Sequence, residues 1–157
     1  MPSVFLFAPQ DFHNLCLLAR TLEAFGHREC AVFDPHRLVR QRYGKARSRE
    51  LRAVSAGAFE KVRWVCVEQP DEYLRQHAGR VIATVAAPAA TALPEHRCEG
   101  SDLIVFGPES VGLPADVVAA SSLALTIPLA GETQSLNLVV AIGILLFEYQ
   151  RQLSTQA

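Results

Sequence analysis

The segment Leu103-Ile-Val-Phe-Gly-Pro-Glu-Ser-Val-Gly-Leu-Pro114 decides the fold class of this chain. A short apolar run stops abruptly in a turn of Gly and Pro, which predicts a strand that is buried on both faces. Similar runs, each bounded by turn residues, predict further strands at residues 4–7, 30–33, 62–67, 81–85 and 123–127. Because their polarity mostly does not alternate, we expect these strands to pair in parallel beneath covering helices.

Helical patterns separate the predicted strands. They cover residues 14–25, about 48–56, 71–77, 114–120 and about 135–153. Gly26 and Gly57 follow the first two patterns and Gly79 lies just beyond the third, as expected at helix C-termini. The alternation of strand and helix predicts an α/β fold with an open, mainly parallel sheet that is flanked by helices.

The basic residues are concentrated in one segment, although the chain as a whole carries a formal charge of -1. That balance excludes a protein that holds nucleic acid by overall charge, so any RNA affinity requires a local patch. Between residues 37 and 52 a single acid, Glu50, stands among seven arginines and lysines. This pattern favours contact with RNA phosphates, and a solvated helix and loop face is the alternative. The predicted RNA-binding residues are Arg40, Arg42, Lys45, Arg47 and Arg49.

The remaining composition bounds the class of protein. A chain of 157 residues, 50% of them hydrophobic, predicts a single domain over residues 1–157 with no extension domains. The four cysteines form no C-x-x-C pair and the five histidines show no ligand spacing, so we expect no metal site and reduced thiols in the cytoplasm. The longest apolar run, residues 136–147, is shorter than the roughly 20 residues that span a bilayer, so we expect no membrane insertion.

The turn at residues 107–112 does not fit three common site motifs. A phosphate loop of the nucleoside triphosphatases is excluded because Leu113 and Pro114 follow where Lys and Ser or Thr are required. A serine hydrolase elbow around Ser110 fails because Pro108 replaces the first glycine and no histidine follows in the chain. An ordinary dinucleotide site is disfavoured, since no G-x-G-x-x-G sequence follows the first predicted strand.

A second segment, Ile127-Pro-Leu-Ala-Gly-Glu-Thr-Gln-Ser-Leu-Asn137, also reads as a strand that ends in a polar turn, here before an apolar helix. Strand ends of this kind build small-molecule sites in open α/β sheets. With Asn14, Arg20 and Phe25-Gly26, the two segments resemble the three sequence motifs of the SpoU/TrmH family of RNA ribose methyltransferases. The second motif corresponds to Phe106-Gly-Pro-Glu109 with Gly112-Leu113-Pro114, and the third to Ile127-Pro128 with Ser135-Leu136-Asn137.

The resemblance implies a C-terminal trefoil knot in which three loops surround S-adenosylmethionine. Apolar side chains of the third motif would form walls for the adenine, and Gly107 would let the backbone come close to the ligand. Taken singly, Gly107 could be a turn residue and Ser135 only the N-cap of the last helix. The cofactor-binding residues implied by the resemblance are Thr84, Gly107, Glu109, Ile127, Leu129, Ser135 and Leu136.

The resemblance also implies the catalytic residues Arg20, Asn14, Glu109, Ser135 and Asn137. Arg20 would position the target nucleotide and stabilise negative charge on the ribose 2′-oxygen, because a guanidinium keeps its proton far above neutral pH. In the family this arginine works beside the cofactor of the other subunit. A solvated Arg20 paired with Glu23 is the alternative. Cys16 departs from the family, which usually has Gly at that position.

The last helix, predicted at about residues 135–153, is apolar nearly all round. A helix without a polar stripe must be covered on more than one side, which favours a homodimer. A helix that is wholly buried within one subunit is the alternative.

These patterns and the resemblance favour a dimeric, S-adenosylmethionine-dependent RNA 2′-O-methyltransferase of the cytoplasm. Similarity to the minimal members of the family favours transfer RNA over ribosomal RNA as the substrate. A non-catalytic RNA-binding module of the same fold, and cofactor binding for an acceptor other than RNA, are the alternatives.

Overall fold

The computed structural model describes residues 1–40 and 45–155, with residues 45–47 described by their backbone alone. The strands are β1 (Ser3–Phe7), β2 (Glu29–Phe33), β3 (Arg63–Cys66), β4 (Val81–Thr84), β5 (Thr91–Ala92), β6 (Leu103–Phe106) and β7 (Leu123–Thr126). The helices are α1 (Phe12–Ala24), α2 (Lys45–Ser55), α3 (Pro70–Gln76), α4 (Ala115–Ala120) and α5 (Leu138–Thr155), with short 3-10 turns at Ala58–Glu60 and Leu93–Glu95. None of the helices in these described ranges combines the length and hydropathy needed to cross a membrane.

The strands form one sheet in the order β3-β2-β1-β6-β4-β7-β5, and every described strand pair is parallel. The predicted α/β class and parallel pairing are therefore confirmed. Strand β4 lies between β6 and β7, which both follow it in the chain, so the connections from β5 to β6 and from β6 to β7 each cross β4. The trefoil knot stays a prediction.

Helices cover both faces of the sheet. Helices α1 and α5 pack on one face, where their leucines and isoleucines meet side chains from β1, β2, β4 and β6. The short helices α3 and α4 cover the other face through Leu74 and Val117. The longer helices thus lie on the same side, and α1 contacts α5 directly.

The starts of α1 and α5 differ from the sequence-based predictions because side chains cap these helices at other positions. The Asp11 carboxylate accepts a hydrogen bond from the backbone N–H of His13 at 2.7 Å, so α1 begins before Asn14. Helix α5 begins at Leu138 rather than near Ser135, since the Asn137 side chain accepts from the N–H of Val139 at 2.8 Å. The interpretation of Ser135 as the helix cap is therefore wrong. Strand β5 was not predicted.

Helix α5 leaves an apolar stripe exposed. Val140, Ile144 and Phe147 lie one helical turn apart in succession and keep 50%, 37% and 61% of their surface accessible. The opposite side of the helix is buried against the sheet through residues such as Ile142 and Leu146. The alternative that this helix is wholly buried within one subunit is therefore wrong.

A polar cluster, consisting of Arg80, His96, Asp102 and Tyr149, lies at the amino ends of β4 and β6. The fully buried Asp102 carboxylate accepts hydrogen bonds from Arg80 Nε at 2.8 Å and from the Tyr149 hydroxyl at 2.7 Å. Burial by itself would raise the pKa of Asp102, but these hydrogen bonds and one from the Glu99 N–H hold that pKa below its usual range. Burial and the Arg80 charge lower the pKa of His96, whose Nε2 lies 3.1 Å from the Tyr149 oxygen.

Candidate active site

The candidate site lies along the carboxyl edge of the sheet. Strands β1, β6, β4 and β7 are neighbours, and all four end at this edge because they run in parallel. Helix α1, which follows β1, and the loops after β6 and β7 carry the polar residues of the three sequence motifs. Ligands of open α/β sheets bind at such an edge, outside the ends of the strands.

Three residues from the three motifs form one hydrogen-bonded network, here called the amide–carboxylate network. The side-chain amide of Asn14 donates to Glu109 Oε1 at 3.0 Å. The side-chain amide of Asn137 donates to Asn14 Oδ1 at 3.2 Å. Asn14 is buried, whereas Glu109 and Asn137 are exposed, so the network runs from the core to the surface of the site. The structure thus brings together three residues that the sequence placed far apart.

Two residues that the sequence analysis missed reinforce this network. The backbone N–H of Gln10, in the loop between β1 and α1, donates to Glu109 Oε2 at 3.1 Å. The Ser110 hydroxyl donates to the Gln10 side-chain oxygen at 2.6 Å. Both oxygens of Glu109 therefore accept hydrogen bonds from the segment at residues 10–14, which fixes the loop after β6 against the start of α1. Gln10 belongs to none of the three sequence motifs, and only its position just after a strand could have indicated a role in the site.

Gly107 is required by the shape of the turn after β6. A Cβ atom at this position would lie 2.4 Å from both the carbonyl carbon of Gly112 and the backbone nitrogen of Leu113. The turn is closed by the N–H of Gly112, which donates to the Pro108 carbonyl at 2.9 Å, and Gly112 itself adopts a φ of 70°. Gly107 and Gly112 are therefore turn residues, and their turn places Glu109 in the network.

The loop between β7 and α5 combines apolar side chains with unpaired backbone. Ile127 and Leu136 are half-buried, Leu129 is exposed, and Ser135 is exposed. Among the described residues, none forms a hydrogen bond with residues 128–136. The loop therefore offers peptide donors and acceptors beside apolar surface. Thr84, at the end of β4, donates its hydroxyl to the Val105 carbonyl at 2.9 Å instead.

Arg20 does not join the network of its own chain. It lies on the exposed side of α1, six residues after the buried Asn14, and makes no ion pair or hydrogen bond with the described residues. The predicted alternative partner, Glu23, accepts a salt bridge from Lys61 at 3.2 Å, so the Arg20–Glu23 pairing is wrong. Cys16, by contrast, is buried in the core side of α1. It therefore does not line an exposed loop.

The structure places part of the predicted RNA-binding segment. Arg40 and Arg49 are exposed, and Arg40 Nη1 lies 3.4 Å from Glu68 Oε1. Arg42 lies outside the described residues, as do the side chains of Lys45 and Arg47. The described part of this segment thus presents four arginines to solvent, Arg37, Arg40, Arg49 and Arg52, of which Arg40 and Arg52 each lie beside an acidic residue.

A family model described as the SpoU rRNA Methylase family matches residues 1–147 of the chain. A 23S rRNA (guanosine-2'-O-)-methyltransferase from Burkholderia sp is 34% identical over 148 residues, which is 90% of this chain and 56% of that protein. A tRNA (guanosine(18)-2'-O)-methyltransferase from Thermus thermophilus is 30% identical over 89% of this chain and 69% of that protein. The chain therefore spans little more than half the length of some relatives.

Two solved structures match the fold over nearly the whole chain. One, described as structural insights into the 2-OH methylation of C/U34 on tRNA, has a TM-score of 0.82 and 30% identity, and the match covers 99% of this chain and 97% of that one. The other is an AdoMet-bound rRNA methyltransferase from Sinorhizobium meliloti, with a TM-score of 0.77 and 25% identity over 97% of this chain and 56% of that one.

Proposed function

This chain belongs to the SpoU rRNA methylase family, and from that membership we propose that it transfers a methyl group from S-adenosylmethionine to a ribose 2′-hydroxyl of RNA. The observation that carries the proposal is the amide–carboxylate network, in which Asn14, Glu109 and Asn137 meet at the carboxyl edge of the sheet. Each of these residues comes from a different motif. The relatives named above methylate guanosine 2′-oxygens, so the same chemistry is proposed for this site.

The residues beside the network suit S-adenosylmethionine. An adenine needs apolar walls and a few hydrogen-bonding groups, and the loop at residues 127–136 offers both through Ile127, Leu136 and its unpaired backbone. Leu129 and Ser135 lie exposed on this loop, and Thr84 and Gly107 lie at the neighbouring strand ends. When bound there, the cofactor supplies a methyl group on a cationic sulfur, which becomes a neutral thioether after transfer.

The network has a positioning role in this proposal. Glu109 joins the loop after β6 to α1, and Asn137 joins the start of α5 to the same place. An in-line attack requires the reacting atoms to be held about 3 to 3.5 Å apart. If the loops moved independently, this geometry would be reached less often and methyl transfer would be slower. Ser135, two residues before Asn137, is exposed toward solvent and is free to contact a ligand.

Arg20 is proposed to act on the target ribose of the partner subunit's site. Its guanidinium keeps its proton, so it donates hydrogen bonds to the phosphate and to the 2′-oxygen as negative charge develops. The hydroxyl proton is released to solvent. The exposed, unpaired state of Arg20 within its own chain supports this role, because no described residue competes for the guanidinium.

The exposed stripe on α5 supports a homodimer that brings Arg20 to a second chain. Thr21, next to Arg20, packs 3.7 Å from the position of a Cβ atom at Gly143, which lies beside Val140 and Ile144 on α5. Arg20 therefore lies close to the apolar stripe. In a dimer in which the apolar stripes of the two subunits pack against each other, Arg20 of one subunit would lie against the surface of the other.

Transfer RNA is the proposed substrate, with ribosomal RNA as the alternative. The solved structure that matches almost all of both chains concerns methylation of tRNA, which supports this preference. The exposed Arg49 would contact a phosphate. A cytoplasmic location follows from this substrate and is part of the proposal.

Incorporation of labelled methyl groups from S-adenosylmethionine into bulk transfer RNA tests the proposed function. We expect the wild-type chain to incorporate methyl groups. Arg20→Ala should abolish incorporation without changing the thermal stability. In a one-to-one mixture of Arg20→Ala and Asn14→Ala chains, about a quarter of wild-type activity should return, because mixed dimers rebuild one intact site. If the wild-type chain is active but the mixture of variants recovers no activity, the proposal of a site shared between two subunits is contradicted.

Two other outcomes would favour the alternatives. RNA binding without any methyl incorporation would indicate a non-catalytic binding module. Turnover that is unchanged when Arg42, Arg47 and Arg49 are neutralised would indicate an acceptor other than RNA. Neither result requires the fold to be different.

A further inference from the structure

A cavity of about 180 Å³ lies at the carboxyl ends of β2 and β3, apart from the amide–carboxylate network. It is lined by Phe33, Asp34, Pro35, Arg40, Cys66, Val67 and Glu68. Apolar walls with a charged rim at the carboxyl edge of a parallel sheet are typical of a ligand site. The volume suits one planar heterocycle.

The walls of this cavity are held in place by the protein itself. The two oxygens of Asp34 accept hydrogen bonds from the N–H groups of Leu38 at 2.9 Å and Val39 at 2.8 Å. Within the loop they close, Arg37 adopts a φ of 57°, a conformation that is uncommon for residues other than glycine. The Phe33 ring packs against Phe7 at 5.2 Å between centroids. The cavity is therefore preformed.

The rim of the cavity carries one donor and one acceptor that a ligand could engage. Arg40 Nη1 and Glu68 Oε1 lie 3.4 Å apart, and their side chains are 53% and 77% exposed. An ion pair this open contributes little to stability, so both groups can exchange it for a ligand at small cost. The contacts of Arg40 with Cys66 and Glu68 raise the pKa of Arg40, which keeps the guanidinium charged over the cavity.

Guanine satisfies this rim better than the other bases. Arginine pairs with the O6 and N7 acceptors of guanine, and a carboxylate accepts from N–H donors of a base edge. Adenine and cytosine also carry donors and acceptors, but only guanine combines the adjacent acceptors O6 and N7, which match a forked guanidinium, with N–H donors at N1 and N2. It could therefore engage Arg40 and Glu68 together while its face packs on Phe33. Stacking of an unpaired base on an aromatic ring is a common mode of RNA recognition.

We propose that this cavity binds a guanine base of the substrate RNA that lies a few nucleotides from the methylated one. The inference rests on the proposed function, because it assigns the second base to the same RNA. The cavity at β3 and β2 and the network at β1 and β6 share one edge of the sheet. The cofactor site proposed at the ends of β6, β4 and β7 lies farther along this edge, about 17 Å from the cavity at three to four strand spacings of about 4.8 Å, which a few nucleotides of single-stranded RNA can span.

Cys66 provides a direct readout of occupancy. It lines the cavity and is half-buried, whereas Cys16, Cys30 and Cys98 are buried. Alkylation of the full chain by iodoacetamide should therefore modify Cys66 first. A short oligouridylate with one central guanosine should slow this alkylation, and it should bind about tenfold more tightly than the same strand with adenosine, the discrimination of one bidentate base contact.

The variant Glu68→Gln should remove the preference for guanosine and leave binding of the adenosine strand unchanged. Glu60→Gln is the matched control, since it breaks a similarly exposed ion pair with Arg52 that lies outside the cavity. Arg49→Gln should weaken every strand equally, as expected for a phosphate contact.

Bound RNA that leaves Cys66 alkylation unchanged would overturn the inference, and so would equal affinity for all bases. If methyl transfer persists in either case, the proposed function stands and only the base site fails. If the chain binds no RNA at all, both proposals fail together.

Discussion

The side chain of Asn137 donates to Asn14 Oδ1 at 3.2 Å, across 123 residues of sequence. The same Asn137 accepts a hydrogen bond from the Val139 N–H through its oxygen. One amide therefore both caps α5 and joins that helix to the helix that carries Arg20. The side-chain oxygen of Asn137 caps the helix and its side-chain nitrogen contacts Asn14, so a substitution can remove one role and keep the other.

Replacing Asn137 tests this separation. Asn137→Ser retains a capping oxygen but loses the amide donor, so methyl transfer should fall about 10- to 100-fold, as for loss of a positioning contact, with little change in stability. Asn137→Ala should show the same loss and also lower the free energy of unfolding by about 1 kcal/mol. Steady-state methylation and urea unfolding measure the two effects. Full activity of Asn137→Ser would refute the positioning role.

Gly107→Ala should open the turn after β6. The added Cβ would lie 2.4 Å from two backbone atoms, which cannot move like a flexible side chain. We expect a loss of about 2 kcal/mol in unfolding free energy, together with loss of cofactor binding as Glu109 leaves the network. Gly131→Ala is the matched control, because an added Cβ there meets nothing within 4 Å. Calorimetric unfolding scans of the two variants should differ clearly, and similar scans would count against a rigid turn.

Phe147→Glu should convert the proposed dimer to monomers. Phe147 is 61% exposed on the apolar stripe of α5, and a carboxylate buried between two subunits is strongly unfavourable. Sedimentation analysis should show half the mass, with the helical content unchanged. Ala119→Glu, at an exposed position of α4 on the other face of the sheet, should leave the mass unchanged. A wild-type chain that is already monomeric would contradict the shared site.

Stability should decrease as the pH falls below neutrality. Burial lowers the pKa values of His27 and His96 from 6.5. Well above pH 6.5 both histidines are therefore neutral in the folded and in the unfolded chain, and the free energy of unfolding has its full value. Below that pH the unfolded chain takes up protons first, and the free energy of unfolding should fall by up to about 1.4 kcal/mol per pH unit for each histidine. Denaturant titrations from pH 8 to pH 5 measure this slope. His96→Gln should flatten it, whereas the exposed His36→Gln should not.

The sequence predicted the elements well and the contacts between them only in part. Short apolar runs such as Leu103-Ile-Val-Phe106, which are rich in β-branched and aromatic residues and end at Gly or Pro, indicate buried strands, so six of the seven strands were found. The two-residue β5 was missed because a pair of residues has no measurable period. The resemblance selected Asn14, Glu109 and Asn137, and the structure brings these three side chains together, although their roles stay a prediction. The hydrogen bonds that join them could not be predicted, because they depend on the order of the strands.

Long-range partners account for the wrong assignments. Glu23 was matched with Arg20 because the two are neighbours on a helix, yet Lys61 from a distant turn takes that carboxylate. Ser135 looked like a cap, but Asn137 reaches both the helix and Asn14. Asp102 carried no motif in the sequence, and only the fold places Arg80 and Tyr149 around it.

Two side-chain hydrogen bonds join the α5 region to parts of the chain that precede it. Asn137, just before the helix, donates to Asn14, and Tyr149, in its second half, donates to Asp102. During synthesis on the ribosome, neither hydrogen bond can form until these residues have emerged. A nascent chain can therefore assemble β1 to β3 early, but the amide–carboxylate network forms only after α5 has been made, and such distant pairings fold slowly.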